Sequence, residues 1–242
     1  MLSIIIIAYN EEKYIPQILE SLRLQTFKNF EVIISDSNST DNTKNAAIAF
    51  KQYFNEFKYL KLDKAAGPAY GRNKGADHAK YERLLFLDSD TKLKNDFIEK
   101  TLKEINRKKI DIATCPIKIS EHNFISDSGA FFLNSFMLVL RPFYPTAFGA
   151  CFFSTKNVHK KIGGFNENLG ICEDCNYVKT AAKTYNFKFK ILKPCFYTSD
   201  RRAAKEGNIQ LTLKYLKTHL YRIFTGKEIL KGKINYNYGK FN

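Results

Sequence analysis

Ser3 to Ala8 is an isoleucine-rich run of strand length, apolar on both faces, which predicts a fully buried strand. Ile15, Ile18, Leu19 and Leu22 then recur at the i, i+3, i+4, i+7 spacing of one helix face, with Asn10 placed as the cap. Phe30 to Ser35 predicts a second strand ending at Asp36. Ser39 to Thr43 is helix-capping chemistry, and Ala46, Ala47, Phe50 and Phe54 mark the helix that follows. Tyr59 to Leu62 predicts a third strand, Ala66-Gly67-Pro68 a break, and Gly71 to Ala79 a helix with small residues on one side. Leu84 to Leu87 predicts a strand running into Asp88-Ser89-Asp90. A helix over Leu93 to Asn106 and a strand near Ile112 to Pro116 come next. This alternation predicts an α/β domain, a mostly parallel central sheet with helices on both faces.

Beyond residue 116 the pattern changes. Gly129 to Phe153 carries a single charge, Arg141, yet Asn134, Pro142 and Pro145 interrupt it too often for a spanning helix. A core helix plus a strand, or a loop touching a membrane, both fit it. Gly163-Gly164-Phe165 ends a short helix, Glu173-Asp174 precedes a helical run through Val178, Ala181 and Ala182, and Phe187 to Leu192 predicts the last strand. Ile209 to Phe224 alternates leucines with Lys214, Lys217 and Arg222, an amphipathic basic helix followed by a basic, Tyr-containing tail. The expected division is a domain over 1–204 and a basic amphipathic C-terminal extension over 205–242, packed either on the domain with its lysines solvated or on a membrane surface.

The predicted strand ends put polar chemistry on one rim, where open α/β sheets bind ligands. Asp88 and Asp90, one residue apart on extended backbone, face the same way, and two hard oxygen ligands there suit Mg²⁺ or Mn²⁺ carrying a phosphate. Asp-Ser-Asp is equally an ordinary turn. The net charge of +15 calls for an anionic partner, and ten basic against two acidic residues from Arg201 onward concentrate it in the tail. Five cysteines at irregular spacing and no charged-then-apolar leader point to a reduced, cytoplasmic setting. Cys172-x-x-Cys175 brackets Glu173-Asp174, but a lone C-x-x-C with four scattered histidines is weak ground for zinc or redox chemistry.

Read in order, Ala8-Tyr9-Asn10-Glu11-Glu12, Asp36 to Thr43, Gly71-Arg72-Asn73-Lys74-Gly75 and Leu87-Asp88-Ser89-Asp90 resemble the motif series of the family 2 glycosyltransferases of GT-A fold. Gly149-Ala150, Gly163 to Glu167 and Glu173-Asp174 continue the series, so the resemblance covers about residues 3 to 200. It implies a nucleotide-diphospho-sugar donor, a divalent ion and inverting transfer to a glycan, lipid or lipid-linked acceptor. Ala8, Tyr9, Asn10 and Glu11 then belong to the donor site, Asp36 meets the base, Arg72 lies near the diphosphate, Asp88 contacts the ribose or a metal-bound water, and Asp90 is the direct metal ligand. Asp174 is implied as the base that takes the acceptor proton, with Glu173 as its substitute or as an acceptor-orienting partner.

Two departures stand out. Asp36 is followed by Ser37 where the family often has a second acid, and no His follows the last strand. Asp200 is the expected replacement metal ligand; Arg201 and Arg202 could instead bind the diphosphate as fixed cations. A sugar-nucleotidyltransferase would want a Gly-rich basic loop after the first strand, where this chain is acidic. A non-catalytic basic module would not explain the rim carboxylates, and no nucleic-acid-binding motif is present. The basic tail and the apolar 129–153 stretch together give a further expectation, peripheral attachment to an anionic membrane at its inner face.

Overall fold

The structure is a computed structural model that describes residues 1–120 and 124–232. Its strands are β1 (Leu2–Ala8), β2 (Phe30–Asp36), β3 (Phe57–Lys61), β4 (Arg83–Asp88), β5 (Thr91–Lys92), β6 (Ile112–Thr114), β7 (Ile117–Ile119), β8 (Cys151–Thr155), β9 (Phe189–Ile191) and β10 (Phe196–Thr198). Its helices are α1 (Ile15–Arg23), α2 (Thr43–Ile48), α3 (Pro68–Asp77), α4 (Phe97–Lys108), α5 (Phe124–Leu140), α6 (Lys156–Ile162), α7 (Glu173–Lys179), α8 (Arg201–Glu206) and α9 (Asn208–Thr225).

A seven-stranded sheet in the order β3-β2-β1-β4-β8-β6-β9 forms the centre. All its pairings are parallel except those of β8, which runs against both β4 and β6. Residues alternate between its two faces, as the strand period requires. Ile4, Ile6, Val32, Ile34, Leu85 and Leu87 pack with α1 and α4; Ile5, Ile33, Leu84 and Phe86 pack with α3, α6 and α7. Gly75 is what lets α3 lie so close, because a Cβ there would stand 2.2 Å from Ile5 Cγ2.

Several expectations shift. The 129–153 stretch is a helix and a strand, but α5 begins earlier, at Phe124, and β8 is the antiparallel member of the sheet. The second helix ends at Ile48, and a separate 3₁₀ turn over Lys51–Tyr53 carries the chain to Phe54. The sequence pattern missed a small sheet, β5-β10-β7, whose strands are too short to show a period. The expected boundary at 204/205 falls inside α8, and α9 packs on α5. The end of the basic tail, 233–242, lies outside the described residues.

His159 on α6 joins the aromatic cluster beneath β4, its ring 6.1 Å from Phe86 and 5.9 Å from Phe165, with Nδ1 3.3 Å from the Tyr177 hydroxyl. Burial pushes its pKa from 6.5 down to about 4, against the pull of Asp77. A base depressed in the fold stabilises it above its unfolded pKa, and that contribution is lost as pH falls toward the folded value. Between pH 7.5 and pH 5 the loss from this one group is about 2 kcal/mol. Urea unfolding of His159→Phe should therefore depend less on pH than unfolding of the parent chain, by about that amount; equal dependence would mean that His159 is charged in the fold.

Candidate active site

Strand register places Ala8 opposite Asp36 and Ile7 opposite Asp88, so the carboxyl ends of β1, β2 and β4 share one rim. Past β1 the chain turns at Asn10, φ 56°, in the left-handed region that Asn tolerates. Asn10 does not cap α1, where Tyr14 holds the cap position. Its N–H donates to Ser39 Oγ at 2.8 Å and its Oδ1 accepts from Thr40 N at 2.9 Å, while Glu11 N donates to Thr43 Oγ1 at 2.7 Å. The cap chemistry between β2 and α2 thus serves to hold the turn after β1, which aims Glu11 at the rim.

Tyr9, Glu11, Arg72, Asp88, Asp90, Glu173, Asp174, Asp200, Arg201 and Arg202 all line one cavity of about 330 Å³. Arg72, expected either near a diphosphate or at the surface, is 3% exposed and lies between two acids. It donates from Nη2 to Asp88 Oδ1 at 2.9 Å and from Nη1 to Glu173 Oε1 at 2.6 Å, and its guanidinium sits 5.5 Å over the Phe165 ring. Arg201 donates from Nη1 and Nη2 to both oxygens of Glu11 at 2.8 Å and from Nε to Asp90 Oδ2 at 3.1 Å. Tyr14 packs under it at 4.3 Å, and Ser199 Oγ donates to Asp90 Oδ2 at 2.9 Å. Asp174 Oδ2 accepts from Gly149 N at 2.6 Å and Oδ1 from Cys175 N at 2.7 Å.

Six carboxylates thus face three arginines, and the imbalance shows in the acidity of Asp88, Glu11 and Asp174. Burial pushes Asp88 above the ordinary carboxylate range, with Arg72 opposing and Asp90 adding to the shift. Burial likewise raises Glu11 against Arg201, and raises Asp174 strongly, with Cys175 and Glu173 adding to it. Arg72 keeps its proton firmly, because Asp88, Glu173 and Asp174 outweigh the cost of burying it. A carboxylate cluster of this kind favours protons or a bound cation.

The expected metal ligands can be tested on this geometry. Asp88 Oδ1 is taken by Arg72 and Asp90 Oδ2 by Ser199 and Arg201, while the other oxygen of each accepts no hydrogen bond among the described residues. That fits a divalent ion held by few protein ligands, the rest coming from a diphosphate. Asp200 fits less well: among the described residues, Asp88, Asp90 and Asp200 do not bring three ligand oxygens within 4.8 Å of one another. Asp200 instead stands directly before α8, its carbonyl accepting from Ala204 N at 2.8 Å. Arg201 is bound to carboxylates here, and Arg202 donates to Glu206 at 3.2 Å with Tyr215 beneath it.

Asp36, Ala8 and Asn10 lie beside the cavity rather than in its lining. Asp36 is 1% exposed; Ser39 donates to it from N and Oγ, and the Tyr59 hydroxyl does so at 2.7 Å, so in this structure it caps the turn it begins. Gly149, Ser199 and Tyr14 were not anticipated as site residues. Gly149 was visible as part of the Gly149-Ala150 motif, and its role is steric: a Cβ would stand 2.8 Å from Arg72 Nη2 and 2.9 Å from Asp174 Oδ2. Ser199 and Tyr14 left no signal, since one acts on Asp90 and the other on Arg201, both far from them in sequence.

Removing Arg72 leaves Asp88 and Glu173 in the cleft without their cation. Loss of one partner of a buried pair costs about 3–5 kcal/mol, and the 34% exposure of the Asp88 side chain moves the expectation to about 2–3 kcal/mol. Asp88, whose unfolded value is 3.8, should rise further in Arg72→Met. A carboxyl raised in the fold adds stability below its unfolded pKa and loses it as pH rises through the folded one. The Arg72→Met deficit, read by urea denaturation, should therefore be largest at pH 8 and shrink by pH 5; a deficit independent of pH would mean that Arg72 acts by packing alone.

A protein of Haemophilus influenzae described as an uncharacterized glycosyltransferase is 28% identical over 239 residues, spanning 90% of this chain and 76% of its own. A Campylobacter jejuni protein named GalNAc(5)-diNAcBac-PP-undecaprenol beta-1,3-glucosyltransferase is 31% identical over 106 residues, 43% of this chain and 34% of its own. Seven of the curated relatives, the Campylobacter protein among them, are matched over only 16% to 40% of their length. Among solved structures, the mannosyltransferase PcManGT of Pyrobaculum calidifontis, in complex with GDP-Man and Mn²⁺, superposes with a TM-score of 0.71 at 17% identity, covering 89% of this chain and 64% of that one. That likeness speaks for the fold, which is the GT-A fold. Residues 3–163 match the description "Glycosyl transferase family 2", and the chain belongs to that family.

Proposed function

We propose that this chain transfers a sugar from a nucleotide-diphospho-sugar to an acceptor hydroxyl with inversion, in one displacement and with metal assistance. The observation that carries the reading is the meeting of Asp88, Asp90 and Asp174 in one cavity of a family 2 glycosyltransferase. A divalent ion held by Asp88 and Asp90 would supply Lewis-acid neutralisation of the departing diphosphate. The remaining work falls to the chain's own side chains.

Asp174 is the base. Its two oxygens are fixed by backbone N–H groups of Gly149 and Cys175, which leaves further lone pairs for the acceptor hydroxyl. Its raised pKa makes it a better proton acceptor than an ordinary aspartate. Glu173, held by Arg72, orients rather than abstracts. Arg201 neutralises Glu11 and Asp90 in the structure, and a diphosphate entering the cavity would take its guanidinium over from them. We assign the base of the nucleotide to the β2 end of the rim, where it would take over one of the contacts that Asp36 now makes with Ser39 and Tyr59.

For the acceptor we propose a lipid-linked glycan reached from a membrane surface. Phe131, Leu138 and Val139 of α5, Phe143 after it and Phe224 of α9 are exposed, Phe143 and Phe224 by 80% and 83%, and α5 packs on α9. Exposed Lys205 and Lys217 lie on the same C-terminal segment. No helix of the described residues is long and apolar enough to cross a membrane, so attachment would be from one side. The Campylobacter relative, named for an undecaprenol-linked acceptor, supports this choice.

Binding of UDP or GDP should require Mn²⁺ or Mg²⁺, and Asp90→Ala should abolish both metal-dependent binding and turnover; transfer at the parent rate in that variant would end the metal assignment. Asp174→Asn should retain nucleotide affinity while transfer falls about 10²–10⁴-fold, the range for loss of a general base. A matched loss of affinity would make Asp174 a donor ligand and Glu173 the next candidate for the base. For the membrane, deleting residues 205–242 would unfold packing around the fully buried Arg222, so surface substitution is the better probe. Vesicles with anionic lipid should sediment the parent chain in a salt-sensitive manner, and Phe131→Ser, Phe143→Ser and Phe224→Ser together should lower the bound fraction roughly tenfold. Equal partitioning would remove the membrane reading.

A further inference from the structure

Behind the base lies a second cluster that the glycosyl-transfer reading does not use. Cys172, Cys175 and His219 bring one ligand atom each to within 4.8 Å of the others. The cysteines flank Glu173-Asp174 at the start of α7, and His219 comes from α9, so the group joins the catalytic helix to the C-terminal segment. The sequence hid this, because His219 stands 44 residues beyond Cys175 with nothing to mark it as a partner.

Three observations single the cluster out from ordinary core packing. His219 Nδ1 is buried and has no hydrogen-bond partner, a state that destabilises the fold unless a ligand satisfies it. Cys172 stands at φ 61°, the left-handed region, where Gly or Asn would be less strained; strained non-glycine backbone collects at functional sites. Both cysteines are free thiols, and Ile171, Ile229 and Tyr215 pack around them.

The surroundings also suit a thiolate at Cys175. Cys175 Sγ is 2.7 Å from Thr146 Oγ1, a hydroxyl able to donate to it, and 3.4 Å from the Ala147 carbonyl, which as a thiol it donates to. The Cys172 hydrogen bond, with His219 and Arg222 nearby, holds the Cys175 thiol well below its ordinary range against burial, while the same bond and burial hold the Cys172 thiol well above its own, so the pair shares one proton until a metal displaces it.

We propose that Cys172, Cys175 and His219 form a binding site for a borderline-soft divalent transition metal, zinc foremost, that clamps α9 onto the start of α7. Two sulfurs and one nitrogen around zinc at bond lengths of about 2.3 and 2.1 Å lie about 3.6–3.8 Å apart in tetrahedral geometry, within the observed spread. All three side chains line the cavity, so the fourth position opens to water from that side. Thiolates and imidazole select zinc over the hard ion that Asp88 and Asp90 suit, which keeps the two sites chemically distinct. Binding displaces the thiol protons: Zn²⁺ and two cysteine thiols give a neutral Zn(S⁻)₂(His) unit and two protons in solution, so affinity falls in acid.

The test uses the full chain, stripped of metal by a chelator under reducing conditions and titrated with Zn²⁺ against a chromogenic competitor, with Co²⁺ as a spectroscopic probe. The proposal requires one high-affinity zinc per chain and a thiolate-to-cobalt charge-transfer band. Affinity should weaken roughly 100-fold or more in Cys172→Ser, Cys175→Ser and His219→Ala. Far-UV circular dichroism identifies any variant that fails to fold, and the titration of the unsubstituted chain decides the question without one. Absence of stoichiometric uptake, uptake unchanged in folded variants, or a Co²⁺ spectrum without a thiolate band would overturn it. So would isolation of Cys172 and Cys175 as a disulfide that re-forms in preference to taking up zinc.

Discussion

Carboxylates brought together in a water-poor cleft repel one another and resist ionisation, and the cavity of this protein gathers Glu11, Asp88, Asp90, Glu173 and Asp174. Arg72 and Arg201 make the arrangement tolerable. Each binds two of the acids, Arg72 joining Asp88 to Glu173 and Arg201 joining Glu11 to Asp90. Asp174 has no guanidinium hydrogen-bonded to it, and burial, with Cys175 and Glu173 beside it, raises its pKa further than Arg72 and the backbone N–H groups that it accepts from can offset. The acids that would hold a metal and the acid that would take a proton are thereby separated by their partners and not by distance alone.

The fold imposes this crowding through close approach. Gly75 lets α3 settle onto β1, which brings Arg72 to the strand ends; Gly149 lets the chain before β8 pass between Arg72 and Asp174. From the other side, β10 delivers Ser199 and Arg201 to the same cavity by pairing with β5, the strand directly after Asp90. The C-terminal segment then closes over α7, with Arg222 fully buried and bound to Glu228 at 2.7 Å. The basic C-terminal segment is therefore part of the scaffold around the site, while Lys205, Lys217, Tyr221 and Phe224 face outward.

How much of this was legible followed from how local each signal was. The isoleucine strand, the β4 strand and the acids at their ends were plain, because a buried parallel strand is a continuous apolar run and its terminus announces itself by polarity. The Glu173-Asp174 pair was readable through its motif. Arg72 was ambiguous, since a helix of small and charged residues does not reveal which side α7 and β4 will approach. The Arg201–Glu11 pair spans 190 residues, and the Cys172-Cys175-His219 group depends on where α9 lands; neither distance is encoded in any local pattern. The β5-β10-β7 sheet, two or three residues per strand, fell below the length at which alternation exists to be read.

The claim on which the account turns is that the Asp88/Asp90 end of β4 is where a metal and a nucleotide diphosphate meet, in front of Asp174. A crystal structure of the full chain soaked with Mn²⁺ and UDP or GDP addresses it directly, with the anomalous signal locating the metal. The account predicts manganese bound to Asp90 and to the diphosphate, with Asp174 still held by Gly149 N and facing the open side of the cavity. Nucleotide bound away from the β1, β2 and β4 strand ends, or manganese bound without contact to Asp88 or Asp90, would contradict it.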